Sequence, residues 1–241
     1  MIALPSCAGD AGSLGAYAQL VLWRTMPRYI LLSVFIFVAT IAALWMGSRL
    51  VSRWHPLPCP TSLIWLLDNP FTAHYYASIL SRLDLSPGLS VLDAGCGPGL
   101  LTLPIARAVG LQGGLLALDV QAGMIQRAKD AAAQAGMSNI TFVVAGLGEG
   151  KLPEASFDRA PLVTVLGEIP DRPAALREIY SSLKPGGFLS ITEILYDPDY
   201  QPRGRVKALA LEAGFQVRNE FGNWFTFTLN VERPHAASDP H

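Results

Sequence analysis

A glycine-rich loop carries the clearest chemical signal in this sequence. The apolar residues Val91-Leu92 run into Asp93-Ala-Gly-Cys-Gly-Pro-Gly99, and a helical pattern follows. The glycines at 95, 97 and 99 let the backbone turn tightly and bring its amide groups close to a ligand. A dinucleotide fingerprint, GxGxxG, would need glycine at position 100, which is leucine. Asp93 adds a carboxylate beside the loop, which suits a cationic amine better than a pyrophosphate.

A second acid lies at the end of the next predicted strand. Asp119 falls at the end of the apolar run 114–120, where a carboxylate can accept hydrogen bonds from both hydroxyls of a ribose. The turn Lys184-Pro-Gly-Gly187 precedes a later strand. A glycine loop alone is a weak signal, whereas the loop, the acid and this turn together form a specific combination.

Alternating helices and strands must position these acids. Hydrophobic periodicity predicts strands at 89–94, 114–120, 139–145, 157–166, 187–195, 215–221 and 224–231, and helices at 72–83, 99–109, 121–135, 171–183 and 203–213. This alternation predicts an α/β fold with a mostly parallel sheet. Gly222-Asn223, between the last two strands, predicts a terminal antiparallel hairpin. Ligands of such sheets bind at the carboxyl ends of the strands.

The segment D-A-G-C-G-P-G, together with Asp119 and LKPGG, resembles class I methyltransferases that use S-adenosylmethionine. Within that class it is similar to the type 11 group, which includes ubiquinone and menaquinone biosynthesis enzymes and related lipid or small-molecule methyltransferases. The resemblance covers residues 71–232. It implies a Rossmann-like seven-stranded sheet, with the final hairpin supplying the antiparallel strand, and S-adenosylmethionine as the cofactor.

The resemblance also assigns residues to the cofactor. They are Asp93, Gly95, Cys96, Gly97 and Gly99 in the loop beside the methionine part, Asp119 at the ribose, Val120 and Gln121 around the adenine, and Leu147 with its backbone amide and an apolar contact. The Cys96 thiol is expected to pack rather than to act as a nucleophile.

Three segments depart from the pattern that the resemblance implies. An acid usually follows the third strand near the adenine amino group, but position 146 is glycine, and Glu149 is a candidate substitute. A histidine is common after the fourth strand, where this chain has Gly167. Arg159 and Pro161 stand where that strand normally has apolar residues.

Methyl transfer from a sulfonium depends mainly on alignment and exclusion of water, and a general base is needed only when the acceptor must lose a proton early. Glu168 is the main candidate for such a catalytic group, although it could simply precede the helix that begins near Asp171. Glu193 and His74 are weaker candidates, since a strand-end and a helix-surface position explain them equally well. Aromatic residues that could form a substrate pocket, or merely core, are Tyr75, Tyr76 and Trp224.

The N-terminal sixty residues predict a membrane anchor. The run from Tyr29 to Ser48 has no charged residue and is bounded by Arg28 and Arg49. As a helix it would be about 30 Å long, which matches the hydrocarbon core of a bilayer. A buried core helix should show a polar stripe, and a signal peptide should have a shorter apolar core followed by a small-residue cleavage site; neither pattern is present. A row of small residues at positions 39, 43 and 47 could form a homodimer seam.

The sequence therefore divides into a tail at 1–28, a transmembrane helix at 29–48, a proline-rich juxtamembrane linker at 49–70, a methyltransferase domain at 71–234 and a tail at 235–241. An apolar cluster at 63–71 has two interpretations: it packs against the following domain, or it lies on the membrane as an interfacial segment. Because S-adenosylmethionine is made in the cytosol, the catalytic domain is expected to face the cytoplasm.

Composition narrows the function further. The chain has 51% hydrophobic and 15% charged residues, a net charge of −1 and three cysteines. The absence of a long Lys/Arg run argues against nucleic acid as a partner, and the sparse cysteines argue against a zinc site or a disulfide framework. We expect a methyltransferase whose acceptor is a quinone precursor or another membrane lipid. The alternative is a catalytically degenerate domain kept as a membrane-tethered scaffold.

Overall fold

A computed structural model describes residues 11–54 and 70–235. The chain forms two compact units, Met1–Leu50 and Val51–His241. The predictions for residues 1–10, for most of the proline-rich linker with its apolar cluster, and for residues 236–241 lie outside the described residues.

The first unit is dominated by one long helix, α1, Ala11–Trp54. Its segment Arg28–Val51 has a mean hydropathy of 2.4 and is long and apolar enough to cross a membrane, a property that a signal sequence near the N-terminus shares. The stretch 1–28 is predicted as a tail, whereas α1 already begins at Ala11. The apolar and small residues of that stretch continue the helix toward the N-terminus instead of interrupting it.

The second unit is built on a seven-stranded sheet with the order β3-β2-β1-β4-β5-β7-β6. The strands are β1 Ser90–Ala94, β2 Gly114–Asp119, β3 Ile140–Val144, β4 Phe157–Val163, β5 Leu183–Ile194, β6 Gln216–Gly222 and β7 Thr226–Glu232. β1 to β5 pair in parallel, and β7 runs antiparallel to both β5 and β6. The predicted fold class, a mostly parallel sheet with a terminal antiparallel hairpin, is confirmed.

Helices cover both faces of this sheet because its strands carry apolar side chains on both sides. The helices are α2 Pro70–Leu80, α3 Thr102–Val109, α4 Ala122–Gln134, α5 Arg172–Ser182 and α6 Arg203–Glu212. In β1, Val91 packs into a core cluster with α2 and α3, whereas Leu92 packs into the cluster that contains α5 and α6. Buried Leu and Ile residues from these helices close each core, so the sheet is held rigidly between two layers.

β5 and β7 begin at residues other than the predicted ones. The LKPGG segment does not form a turn ahead of β5, because Leu183 already pairs with Phe157 and the pairing shifts register immediately afterwards. β7 begins at Thr226 rather than at Trp224. The side chain of Asn223 accepts hydrogen bonds from the amides of Phe225 and Thr226, at 2.8 and 3.2 Å, which keeps Trp224 and Phe225 in the hairpin loop.

Candidate functional site

The glycine loop leaves the carboxyl end of β1 and folds back against β2. The amides of Gly95 and Cys96 both donate to the Leu118 carbonyl, at 2.8 and 2.9 Å. Gly95 has φ +77°, and a Cβ at this position would lie 2.5 Å from Val165 Cγ2, so no larger residue fits. Gly97 has φ +52°, and a Cβ there would meet no atom within 4 Å. The loop thus leaves open space above its own backbone amides.

Asp93 forms the negatively charged floor of this loop. Its side chain is 3% exposed, and its Oδ2 accepts a hydrogen bond of 2.6 Å from the Thr102 hydroxyl. Burial raises the pKa of Asp93 to about 6, because the single hydrogen bond from Thr102 offsets desolvation incompletely. A carboxylate in this position is stabilised by a bound cationic group, since an opposite charge restores the solvation that burial removes.

Asp119 joins the loop to the end of β2. Its Oδ2 accepts from the Gly97 amide at 3.0 Å, and its Oδ1 accepts from the Gln121 amide at 2.8 Å. Burial raises the pKa of Asp119, while these two backbone donors act in the opposite direction. Each carboxylate oxygen can accept more than one hydrogen bond, so a bound diol can be held in addition to the two amides.

A cavity of about 700 Å³ opens at the carboxyl edge of the sheet. The predicted site residues that line it are Tyr75, Tyr76, Asp93, Gly95, Cys96, Gly97, Asp119, Val120, Gln121, Leu147 and Glu168. Gly99 and Trp224 lie outside this lining. A Cβ on Gly99 would lie 3.2 Å from the Ala128 Cβ, so this glycine allows close packing on α4. Trp224 is 77% exposed in the hairpin loop.

The segment after β3 places Glu149 beside Gly146. A Cβ built on Gly146 would lie 2.6 Å from Glu149 Oε1, so the Glu149 carboxylate fills the space where a side chain at 146 would begin. Both residues line the cavity. Glu178 of α5 fixes this loop from behind, because its carboxylate accepts hydrogen bonds from the amides of Gly148, Lys151 and Leu152. The sequence offered no spacing signal that would link Glu178 to this loop.

The loop after β4 carries Glu168 to the cavity. Asp171, and not Glu168, caps α5, by accepting a hydrogen bond of 2.9 Å from the Ala174 amide. A Cβ on Gly167 would lie 1.9 Å from the Asp199 carbonyl oxygen, so the loop after β5 excludes a histidine here. Arg159 lies within β4 with its guanidinium over the Phe188 ring at 4.5 Å, and it donates to the Leu83 carbonyl at 3.0 Å.

Aromatic rings close the side of the cavity that faces α2. Tyr75 and Tyr76 pack edge to face with ring centroids 5.7 Å apart, and Tyr196, which the sequence did not single out, also lines the cavity. His74 is exposed and lies outside the lining. Glu193 is neither a solvated strand end nor a cavity residue: it is 1% exposed, and burial raises its pKa to about 8.

Comparison with known proteins shows what part of the chain is similar to. Residues 91–187 match the family model described as a methyltransferase domain. This stretch of the chain therefore resembles a methyltransferase domain. The chain is 34% identical, over 116 residues, to the ubiquinone/menaquinone biosynthesis C-methyltransferase of Vibrio vulnificus, a match that covers 46% of this chain and 45% of that protein. The chain therefore matches about half the length of such curated relatives.

Solved structures share the same fold. A SAM-dependent methyltransferase from Aquifex aeolicus superposes with a TM-score of 0.66 at 22% identity, over 72% of this chain and 98% of that one. The cyclase SpnF superposes with a TM-score of 0.62 at 19% identity, over 68% of this chain and 82% of that one. A cyclase and a methyltransferase on one fold illustrate that the fold does not fix the reaction.

The family and the fold imply S-adenosylmethionine as the cofactor, and the residues present fit it. The open space above Gly97 leaves room for a ligand against the loop amides. The buried carboxylate of Asp93 suits an ammonium group, and the Asp119 carboxylate suits a ribose diol. Both acids line one cavity.

Proposed function

We propose that this protein transfers a methyl group from S-adenosylmethionine to a small-molecule or lipid acceptor. The observation that carries the proposal is the pairing of Asp93 and Asp119 at neighbouring strand ends of one cavity. Bound S-adenosylmethionine supplies an electrophilic methyl group on a sulfonium. The protein binds and orients the two reactants and excludes water, which accounts for most of the acceleration of such a displacement.

Glu168 is the proposed acid–base residue. It lies in the loop after β4 and faces the same cavity as Asp93, so it can reach an acceptor that lies against the loop. Tyr75, Tyr76 and Tyr196 provide an aromatic wall for that acceptor. An uncharged acceptor with a flat ring or a long apolar chain suits the aromatic wall, whereas the charge of an anionic acceptor would be buried beside the acidic Glu168.

We further propose that the segment Arg28–Val51 anchors the chain in a membrane, with the catalytic domain in the cytoplasm. Tethering raises the effective concentration of the enzyme near membrane-borne acceptors. A quinone precursor is favoured by the similarity to the quinone-biosynthesis methyltransferases, and another membrane lipid is the second choice. The departures at 146 and 167 do not favour a degenerate scaffold, because neighbouring residues fill both spaces.

The experiment is methyl transfer from cofactor with a radiolabelled methyl group to total membrane extract, with the full chain in detergent. We expect label in the lipid phase with the native protein and far less with Asp119→Ala when the cofactor concentration lies below the dissociation constant of the variant. Folded native protein that binds no S-adenosylmethionine in a calorimeter would refute the enzyme and favour the scaffold. Label in the aqueous phase alone would refute the lipid acceptor.

A further inference from the structure

An exposed aromatic cluster borders the mouth of the cavity. It consists of Tyr196, Trp224 and Phe225, which are 57%, 77% and 40% exposed. The Trp224 and Phe225 ring centroids are 5.9 Å apart, and those of Tyr196 and Phe225 are 6.3 Å apart. Tyr196 belongs to the cluster and also lines the cavity, so the aromatic surface continues from the inside of the cavity to the outside of the domain.

The backbone beneath the aromatic cluster is firmly held. Asn223 donates its amide to the Thr226 carbonyl at 2.8 Å, and the Leu195 amide donates to the Phe225 carbonyl at 2.8 Å. Arg203 of α6 donates to the Asn223 carbonyl at 3.1 Å. The three rings are therefore presented to solvent by an ordered tip, although packing of the domain core does not require a tryptophan there.

We propose that the aromatic cluster is a membrane-contact surface that seats the mouth of the cavity on the lipid bilayer interface. Tyrosine and tryptophan favour the interfacial region because an apolar ring and a polar edge are both accommodated there. The inference goes beyond the proposed methyl transfer and rests on the proposed anchor.

The start of α2 supports the choice of this edge for the membrane contact. Thr72, Tyr75 and Tyr76 lie in the first half of α2 and line the cavity, so α2 begins at the carboxyl edge of the sheet. Beyond the end of α2, the Leu83 carbonyl accepts from Arg159, which pairs with Val91 near the start of β1 at the opposite, amino edge. α2, the first helix after residues 55–69, therefore begins at the edge of the sheet that carries the aromatic cluster.

Charge is not the main attraction at this surface. Arg203 lies beneath the hairpin tip, but its side chain lies 3.7 Å from Glu220, and Asp197 follows Tyr196 in the sequence. Because these opposite charges lie close together beside the rings, the net electrostatic field at the aromatic cluster is small. We therefore expect the contact to form on zwitterionic lipid and to change little with salt.

The test uses the full chain reconstituted in phosphatidylcholine vesicles, with Trp23, Trp45, Trp54 and Trp65 replaced by phenylalanine so that Trp224 is the sole tryptophan. Brominated acyl chains quench a tryptophan that touches them. We expect most of the Trp224 emission to be lost in brominated vesicles and retained in ordinary ones. In the otherwise native chain, the part of the emission that Trp224→Phe removes should be quenched in the same way.

The matched control places a tryptophan at the other end of the sheet. Leu111, in the connection between α3 and β2, is 82% exposed, and Leu111→Trp in a chain with all five native tryptophans replaced should stay bright in brominated vesicles. The proposal is overturned if Trp224 is equally bright in both lipids, if residue 111 is quenched to the same extent, or if the chain does not remain with the vesicles. Cofactor binding, measured calorimetrically on the same samples, separates this outcome from failure of the proposed function.

Discussion

Removal of the Asp119 carboxylate tests the cofactor site most directly. In the free protein this side chain accepts hydrogen bonds from the amides of Gly97 and Gln121, and its remaining acceptor capacity faces the cavity. If a ribose diol binds there, Asp119→Ala deletes two hydrogen bonds to a charged acceptor. Such bonds contribute roughly 1.5–3 kcal/mol each.

The expected loss is smaller than the sum of the two. Water enters the space that the carboxylate leaves and solvates part of the diol, so the lower end of the range applies. A loss of about 3 kcal/mol in binding free energy corresponds to about a 100-fold higher dissociation constant for S-adenosylmethionine. Isothermal titration calorimetry of both proteins measures this difference, and S-adenosylhomocysteine gives a second ligand with the same ribose.

The control is a carboxylate with similar local bonds at the opposite edge of the sheet. Asp158 accepts a hydrogen bond of 2.8 Å from the Ser90 amide and pairs with Lys184 at 2.9 Å, but it lies outside the cavity lining. Asp158→Ala should lower the melting temperature and leave the affinity for cofactor unchanged. A folded Asp119→Ala protein with affinity within threefold of native would refute the ribose assignment.

A ligand that lacks the ribose 2′-hydroxyl separates direct contact from loosening of the loop. Native protein should bind the deoxy ligand more weakly than the parent ligand, whereas Asp119→Ala should bind both nearly equally. Equal discrimination by the two proteins would mean that the carboxylate acts only by holding Gly97, and the direct hydrogen bonds would be refuted.

Three further outcomes follow from other acids. Because burial raises the pKa of Asp93 to about 6, affinity for S-adenosylmethionine should fall as pH drops from 8 to 5, while affinity for 5′-methylthioadenosine, which lacks the amino group, should not; parallel curves would contradict the assignment. Glu149→Ala should weaken the binding of S-adenosylhomocysteine about tenfold, as expected for one hydrogen bond, and should leave the binding of its inosine analogue unchanged. Adding Gly146→Asp to this variant should restore the affinity for S-adenosylhomocysteine. Burial raises the pKa of Glu193 to about 8. The protonated side chain therefore contributes to the free energy of unfolding below pH 4.5, and this contribution is lost as pH rises through 8. Between pH 5 and pH 9, denaturant titrations should show a change in the free energy of unfolding that is smaller for Glu193→Gln than for the native protein by a few kcal/mol, at about 1.4 kcal/mol per pKa unit.

Local sequence signals predicted the fold because each element is specified over a short stretch. Alternating apolar runs located all seven strands, and the acids that end two of them were placed at one edge by the parallel topology alone. The predicted strand boundaries were wrong where a strand end depends on a contact with another residue. Leu183 joins β5 because Phe157 lies opposite, and Trp224 leaves β7 because the Asn223 side chain binds the following amides. Neither partner is recognisable from its own neighbourhood in the sequence.

The predicted site was least complete where loops from distant strands meet. Trp224 was expected in the substrate pocket, yet the hairpin carries it outward, and Tyr196 lines the cavity instead. The clamp of Glu178 on the loop that carries Glu149 joins residues from two different elements. Hydrophobic periodicity indicates which face of a helix or strand is buried, but it does not predict which loops contact each other.

The two departures from the family pattern show why such contacts matter for inferring function. At Gly146 a side chain would collide with the Glu149 carboxylate, and at Gly167 it would collide with the Asp199 carbonyl oxygen. At Gly167 the neighbour is backbone, so a side chain there would clash, whereas at Gly146 the neighbour is the end of the flexible Glu149 side chain, which can turn away. At Gly146 the neighbouring Glu149 keeps an acidic side chain in the cavity lining. At Gly167 the space is occupied by backbone, which offers no titratable group. Glu168 is the acid that we propose for proton transfer at this end of the cavity, and a Glu168→Gln protein that retains full methyl transfer would mean that alignment alone sustains the reaction.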